Sequence, residues 1–363
     1  MGNDIQFSYK TMIHIFDLLG SYCGMHYYDI AFADVLRQRG HKCQVHSNFQ
    51  EKGVSSVYFP QFFGCNKILG LLRFLGAYIK FFLFVLTHRQ DNIVYLTYGE
   101  MYELPFLFAI SLSHNGWVDV HEIHALKYKD DSKVSRLFES IYHKHIHNVI
   151  YHSQRTYDIL KNDRLNMVYV PHFKYVFQRT FDEGKLANEV KASFRSDVPK
   201  FLFFGNLSTV KGIDTVMDVF SDIENKESFE LVIAGKNVEN IDFSKIQNDN
   251  IKVFDRHIND DELVYLYSNT DYILLPYKKS SQSGIFAMAA YFHKPMILSD
   301  IPYFKSMLEE FPSFGVVSSI EQFKDCVSKV INDKQKSYYT QADCDNFEMK
   351  KVIDEFVENF IKK

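Results

Sequence analysis

The chain has 363 residues, 46% of them apolar and 24% charged, the composition of a folded globular protein with room for two α/β domains. Its net charge of −4 is too mild for a nucleic-acid binder. The five cysteines (Cys23, Cys43, Cys65, Cys326 and Cys344) are odd in number, far apart and lack a CxxC. They argue against a disulfide framework or a zinc site and fit a reducing cytoplasm, and the opening MGNDIQFSYK has no apolar signal core.

The charge is uneven. Residues 1–175 carry 18 basic and 15 acidic side chains and 13 of the 15 histidines, whereas the remainder is net acidic. The first half is therefore the candidate for an anionic surface or acceptor, with a charge expected to rise as pH falls.

Thr11 to Phe16 reads as a first strand, with Gly20 and Gly24 in the turn after it. A helix over Ala31 to Arg39, closed by Gly40, leads to a second strand from Cys43. This is a βαβ opening without GxGxxG, so dinucleotide binding is a poor match. Ile68 to Leu86 is the most apolar helix and has about the length of a membrane span, but Arg73 and Lys80 interrupt it. Two readings stand: a core-facing helix with a solvated stripe, or a helix seated on a membrane surface with its cations at anionic head groups.

Ile93–Leu96 and Trp117–His121 read as strands, with a helix at Leu104–Leu112 between them. His121-Glu122-Ile123-His124 then follows. HEIH is not HExxH, so zinc is not implied; a His-Glu pair at a strand end lies where catalytic groups gather in parallel α/β domains. Asn148–Tyr151 and Met167–Val170 are further strands. Lys174 to Val198 has no strand pattern and reads as the domain link.

The pattern restarts with the strand Phe201–Phe204 and the turn Gly205-Asn206-Leu207-Ser208-Thr209-Val210, followed by Lys211-Gly212. Ile213, Val216, Met217 and Phe220 have helical spacing. Leu231–Ala234 is a strand ending at Gly235, and Ile251–Phe254 another, before Asp255-Arg256-His257. Asn259 and Glu262 form a capping-box signature. Tyr272–Leu275 is a buried strand closed by Pro276. A polar loop then runs through Gln282 to Ser283-Gly284, where an apolar helix begins, and Met296–Leu298 is the next strand. A glycine at a helix start permits close approach of a phosphate to free N–H groups. Strands and helices alternate from Thr11 to Val317, so the sheets should be parallel. A helix over Phe347–Ile361 ends the chain.

FLFFGNLSTVKGIDTVMDVF resembles the opening of the second domain of GT-B-fold glycosyltransferases, family 4 in particular. LVIAG, IKVFDRHINDDELVYLYSNTDYILLPY and SQSGIFAMAAYFHKPMILSD resemble the strands, nucleobase loop and donor-phosphate helix that follow. In the first half, GMHYYDIAFADVLRQRGHKCQV and VDVHEIH resemble the first helix and the strand-end histidine. The resemblance implies two Rossmann-like domains facing across a cleft: an acceptor domain over 1–175, a nucleotide-sugar donor domain over 176–345, and a helix over 346–363 crossing back. It implies transfer of a sugar from a UDP- or GDP-linked donor to a saccharide or lipid-linked acceptor in bacterial surface polysaccharide synthesis. Retention of configuration is the family's default, and neither a cofactor nor a metal is needed. The catalytic candidates are then His121 and Glu122. Donor binding falls to Gly24, Asn206, Lys211, Gly235, Arg256, His257, Gln282, Ser283 and Gly284. Membrane contact is expected through 67–89.

Two departures stand out. Aligned on Lys294-Pro295, the family's paired glutamates fall on Ser280 and Met288, and its Arg before Leu is Asn206. Arg256 is the candidate for the missing cation. A sugar-nucleotide epimerase on the same fold and a non-catalytic binding partner are the competing classes. Asp343-Cys344-Asp345 has DxD form but no strand ahead of it.

Overall fold

The computed structural model describes residues 12–347 apart from Cys23, Leu126, Asp130, residues 171–179, Ser196, Lys245, Gln247 and residues 334–339. The expected returning helix over 346–363 lies almost wholly outside the described residues. The chain divides into two compact units, one running to Phe173 and the other Lys174–Glu348.

In the first unit, seven parallel strands form one sheet: β1 (Ile13–Asp17), β2 (Cys43–Ser47), β3 (Ser55–Val57), β4 (Asn92–Thr97), β5 (Gly116–Val120), β6 (Asn148–Tyr151) and β7 (Asn166–Tyr169), in the order β3-β2-β1-β4-β5-β6-β7. The connecting helices are α1 (His26–Gln38), α2 (Lys67–Thr87), α3 (Leu104–Ile110), α4 (Lys133–His145) and α5 (Gln154–Leu160). The strands β1, β4 and β5 are buried along nearly their whole length, as strands covered on both faces must be. Order reverses between β1 and β4, so the loops after those strands diverge and leave a crevice at their carboxyl ends.

The second unit begins with the short helix α6 (Asn188–Lys191). Six parallel strands follow: β8 (Lys200–Phe204), β9 (Glu230–Gly235), β10 (Ile251–Asp255), β11 (Tyr272–Leu275), β12 (Met296–Ser299) and β13 (Gly315–Ser318), ordered β10-β9-β8-β11-β12-β13. The helices here are α7 (Ile213–Ser221), α8 (Asp260–Asn269), α9 (Gly284–Tyr291), α10 (Pro302–Glu310), α11 (Phe323–Asp333) and α12 (Gln341–Asn346). The switch point lies between β8 and β11. The expected capping box is formed: Asn259 Oδ1 accepts from the Glu262 N–H, and Glu262 accepts from the Asn259 N–H. Asp343 and Asp345 fall within α12, where Asp343 accepts from the Ser313 N–H, so the DxD-like triplet is helical.

Helix α2 corrects the core-facing reading of the apolar stretch. Of its 21 residues only Ala77, Phe81 and Val85 are buried, so it is not a core helix. By length and composition alone it could cross a membrane. Arg73 and Lys80 reach back to the chain that precedes the helix, and Lys80 stays exposed. Arg73 donates to the Gln61 carbonyl at 2.8 Å, and Lys80 donates to the Tyr58 carbonyl at 3.2 Å while sitting 3.7 Å above the Tyr58 ring. The exposed stripe is aliphatic instead: Ile68, Leu72, Leu75, Ile79, Leu83 and Leu86 recur at intervals of three and four.

Candidate functional site

The loops after β8 and β11 meet at the switch point of the second sheet, the place where parallel α/β sheets bind ligands. Three glycines give this corner its shape. Gly205, the residue after β8, has φ +111. Gly235 ends β9 at φ +145, and a Cβ there would stand 1.8 Å from the Gly205 carbonyl oxygen. Gly212 caps α7 at φ +79, where a Cβ would meet the Pro276 carbonyl at 2.0 Å. Only glycine suits all three positions.

Lys211 and Ser283 converge on one ring. The Lys211 ammonium lies 3.9 Å above the centre of the Tyr277 ring, which is fully buried, and Ser283 Oγ donates to the Tyr277 hydroxyl at 3.4 Å. Ser283 also caps α9 by accepting from the Phe286 N–H at 3.2 Å. The first-turn amides of Gly284 and Ile285 have no partner within the helix, and the positive end of its dipole lies beside them. Ile285 in turn lies 3.4 Å from the position of a Cβ on Gly205. Lys211, Ser283, Gly284, Gly205 and Gly235 therefore form one corner. Asn206 is exposed at its rim and Gln282 is half-buried beside it.

Arg256 is a correction. All five of its N–H donors are engaged. Nη1 and Nη2 bind the two oxygens of Glu262 at 2.7 and 2.9 Å, Nε and Nη2 bind Glu189 at 3.2 and 3.0 Å, and Nη1 also reaches the His257 carbonyl at 3.1 Å. It ties α6 to α8 and has no donor left for a diphosphate. His257 is exposed beyond it. The glutamate-aligned positions offer no carboxylate: Met288 is in the core and the Ser280 hydroxyl donates to the Gln282 carbonyl.

In the first unit, His121 follows β5 and is 2% exposed. Its backbone N–H donates to the Thr97 carbonyl at 3.0 Å. Its ring is sandwiched between Tyr98 and His152, with centroids at 5.4 and 4.6 Å, and Tyr28 meets it edge-on at 4.8 Å. Each wall of the sandwich is anchored by a buried carboxylate. The Tyr98 hydroxyl donates to Asp17 at 2.9 Å, while His152 Nε2 lies 2.6 Å from Asp119 Oδ1, and the Tyr28 hydroxyl donates to Asp119 Oδ2 at 2.7 Å. Glu122 is half-buried beside His121. Gly99, at φ +69, keeps the loop after β4 against His124: a Cβ there would stand 2.2 Å from the His124 Cα.

The carboxyl groups in this region titrate in different directions. Burial alone would raise Asp119, but His152, His121 and Tyr28 hold it below the usual carboxylate range. Burial raises Asp17, against hydrogen bonds from Gly20, Leu19 and Tyr98. Burial and the charge of Asp17 push Asp29 well above the usual carboxylate range. Burial pushes Glu103 up to about 8.

Among the described residues, Asp119, His121 and His152 have the spacing of a metal group, with ligand atoms within 4.8 Å of one another. The 2.6 Å between Asp119 and His152 is a hydrogen-bond distance, whereas two tetrahedral ligands at ~2.1 Å from one ion lie about 3.4 Å apart. The group is packed as a hydrogen-bonded cluster. Gly24, at φ +76, faces open space; Gly20 is the tight position in that turn, where a Cβ would meet Ser47 Oγ at 2.2 Å. Sequence reading missed Asp17, Tyr28, Asp119 and His152, whose separation along the chain gave no local signal.

With this geometry, comparison with known proteins gives a family likeness for the second unit. Residues 185–344 match the family described as Glycosyl transferases group 1. The match spans β8 to β13 and contains every donor-side candidate except Gly24. The whole chain has the GT-B fold. Sucrose-phosphate synthase from Thermosynechococcus elongatus superposes with a TM-score of 0.68 at 12% identity, covering 97% of this chain and 99% of that one. HepE of Anabaena, in complex with UDP-glucose, gives 0.69 at 13% identity, covering 98% and 100%. WaaG, a glycosyltransferase involved in lipopolysaccharide biosynthesis, gives 0.63 at 12% identity, covering 97% and 100%. No curated protein matches the chain in sequence. Beyond the matched domain, these glycosyltransferases are alike in fold alone.

Proposed function

We propose that the protein transfers a hexose from a UDP- or GDP-linked donor to a saccharide or lipid-linked saccharide, in the synthesis of a bacterial surface polysaccharide and with retention at the anomeric carbon. The observation that carries the reading is the corner at the second switch point, where Lys211, Ser283 and the α9 amides surround a backbone opened by Gly205 and Gly235. Charge develops on the diphosphate as the sugar leaves, and fixed donors aimed at that charge lower the barrier. Lys211, Asn206 and the amides of Gly284 and Ile285 take this role, so no step is assigned to a metal. HepE's complex with UDP-glucose on the same fold supports a nucleotide sugar as the donor class.

In this reading the first unit receives the acceptor and supplies His121, which hydrogen-bonds a hydroxyl of the transferred sugar and eases the positive charge forming at C1. Glu122 is the carboxylate beside it. A lipid-linked acceptor places the protein at the inner face of the plasma membrane. The contact is then the aliphatic stripe of α2, seated by apolar burial, with Arg73 and Lys80 bonded to the Gln61 and Tyr58 carbonyls.

The deciding experiment incubates UDP-glucose, UDP-galactose and GDP-mannose with and without lipid-linked saccharides. Acceptor-dependent release of nucleoside diphosphate is expected. Isomerised donor without acceptor would make the protein an epimerase, and binding without turnover would make it a non-catalytic partner. His121→Ala should lower kcat at least tenfold while UDP and GDP affinities by calorimetry stay unchanged, because the residue meets only the sugar. An unchanged kcat removes His121 from the mechanism.

A further inference from the structure

His152 stands at the end of β6, and both of its ring nitrogens face oxygen acceptors. Nδ1 is 2.6 Å from the Val170 carbonyl, which can only accept, and Nε2 is 2.6 Å from Asp119 Oδ1. Asp119 is a carboxylate, because His152, His121 and Tyr28 outweigh the effect of its burial. A neutral imidazole donates from one nitrogen only, so this arrangement calls for a proton on each. The parallel register places the ends of β5, β6 and β7 side by side, with Val120 opposite Tyr151 and Tyr151 opposite Tyr169. His121, His152 and Val170 each follow one of these strands. The imidazolium and its carboxylate are 4% and 0% exposed, and the charged ring stacks on His121 at 4.6 Å and 26°.

A buried ion pair is a weak source of stability, since desolvating two charges offsets their attraction. A ring held on His121 does have a consequence for chemistry. His152 and Tyr98 both stack on His121 and Tyr28 meets it edge-on, so together they restrict the plane the ring can occupy, while Asp119 Oδ1 lies 3.8 Å from His121 Nε2. A ring in a fixed plane can present a hydrogen bond to a sugar hydroxyl.

We propose that Asp119 and His152 form a buried ion-paired dyad of positioning residues that fixes the plane of the His121 ring. The role assigned to His121 rests on the glycosyltransferase reading; the dyad itself does not. Neither residue touches substrate, so their effect passes through His121 alone.

Two measurements test this. In the first, His152→Gln, Asp119→Asn and the double variant are assayed with whichever of UDP-glucose, UDP-galactose and GDP-mannose the wild type consumes. Each single variant should lose at least tenfold in kcat with UDP and GDP affinities unchanged, and the double variant should be no worse than the singles, because the pair acts as a unit. Full kcat in a folded variant, or losses that multiply, would overturn the dyad. The second uses wild-type protein labelled with nitrogen-15 at histidine, so it needs neither a donor nor a variant that folds. The His152 ring should carry a proton on both nitrogens at neutral pH. Spectra in which His152 is neutral, or a stoichiometric bound zinc that accounts for the cluster, would overturn the proposal. Should the wild type consume none of the donors, the glycosyltransferase reading fails, and the nitrogen spectra still decide the dyad.

Discussion

The two switch points of the molecule are built from opposite materials. At the second, between β8 and β11, the working parts are backbone: glycines that let chain approach chain, first-turn amides, and one lysine resting on a tyrosine ring. At the first, between β1 and β4, they are buried side chains: Asp17, Asp29, Glu103, Asp119, His121 and His152, all essentially removed from solvent. The difference follows from the task proposed for each. A diphosphate brings its own charge and needs a shaped, positive opening. A hydrogen bond to a sugar needs a ring in a defined plane, and in a protein interior only surrounding side chains can hold it there. The first unit therefore carries ionisable groups with shifted affinities, and its stability depends on pH.

The comparison breaks most severely at Gly235. Gly235→Ala puts a Cβ 1.8 Å from the Gly205 carbonyl oxygen at φ +145, so the backbone of β8 or β9 must shift. Strain and overpacking together should cost roughly 2–4 kcal/mol. Chemical denaturation should show the loss, with nucleoside diphosphate binding lost as well. A variant of wild-type stability and affinity would show that backbone shape does not make the corner.

Lys211→Ala is the next largest test. The side chain rests on Tyr277 and makes no ion pair among the described residues, so the fold should persist. A lost bond to a charged group costs about 1.5–3 kcal/mol, or about 10- to 150-fold in UDP or GDP affinity by calorimetry. Unchanged affinity would take Lys211 out of the site.

Arg256→Ala separates clamp from ligand. Its partner Glu262 is 2% exposed in the side chain and keeps its bond to the Asn259 N–H, while Arg256 is itself 35% exposed. The expected loss is about 1–2 kcal/mol of stability, well below that of a fully buried pair, with nucleotide affinity unchanged. Weaker binding at wild-type stability would return Arg256 to the diphosphate.

How much of this was legible in the sequence divides along the same line. The second corner was readable because its signals are local. Gly205, Lys211-Gly212 and Ser283-Gly284 each sit within a few residues of a strand end or a helix start, and the capping box at Asn259 was found from four residues. The first cluster was readable only at His121. Tyr28 and Asp119 are 91 positions apart, and His152 and Asp119 are 33 apart, so no window of helical or strand periodicity joins them. Arg256 misled for a related reason. A cation after a strand reads as free until the fold brings Glu189 to it across 67 positions. In α2 the aliphatic stripe was placed inward because apolar residues usually turn to the core; in the fold it is exposed, and Arg73 and Lys80 reach back to the carbonyls of Gln61 and Tyr58.

The smallest and most gradual effect is on acid stability, and it distinguishes the two units by histidine. Thirteen of the 15 histidines lie before residue 176. The expectation that they would charge the first half as pH falls fails for His14, His41 and His46, because burial holds all three below the ordinary value. His46 is pushed down to about 3 by burial, and His14, Lys80 and His88 add to the effect. Its ring stacks on Phe16 at 4.5 Å, and its Nε2 shares a 3.0 Å hydrogen bond with His14 Nδ1, so the fold wants it neutral. In the unfolded chain it takes a proton near pH 6.5. A folded affinity below the unfolded one means that the contribution is complete above pH 6.5 and is lost as pH falls toward 3. Glu103 has the opposite sign. Burial raises it to about 8 from 4.5, so its contribution is complete below pH 4.5 and is lost as pH rises through 8. The first unit should thus weaken on both sides of a middle range. On the acid side the slope contributed by His46 approaches 1.4 kcal/mol per pH unit. His46→Phe keeps the stack on Phe16 and removes the titrating group, so it should flatten the acid limb of a Tm-against-pH curve for the first unit. An acid limb as steep in the variant as in the wild type would mean that other groups, foremost the carboxylates of the Asp119 cluster, set the acid limit.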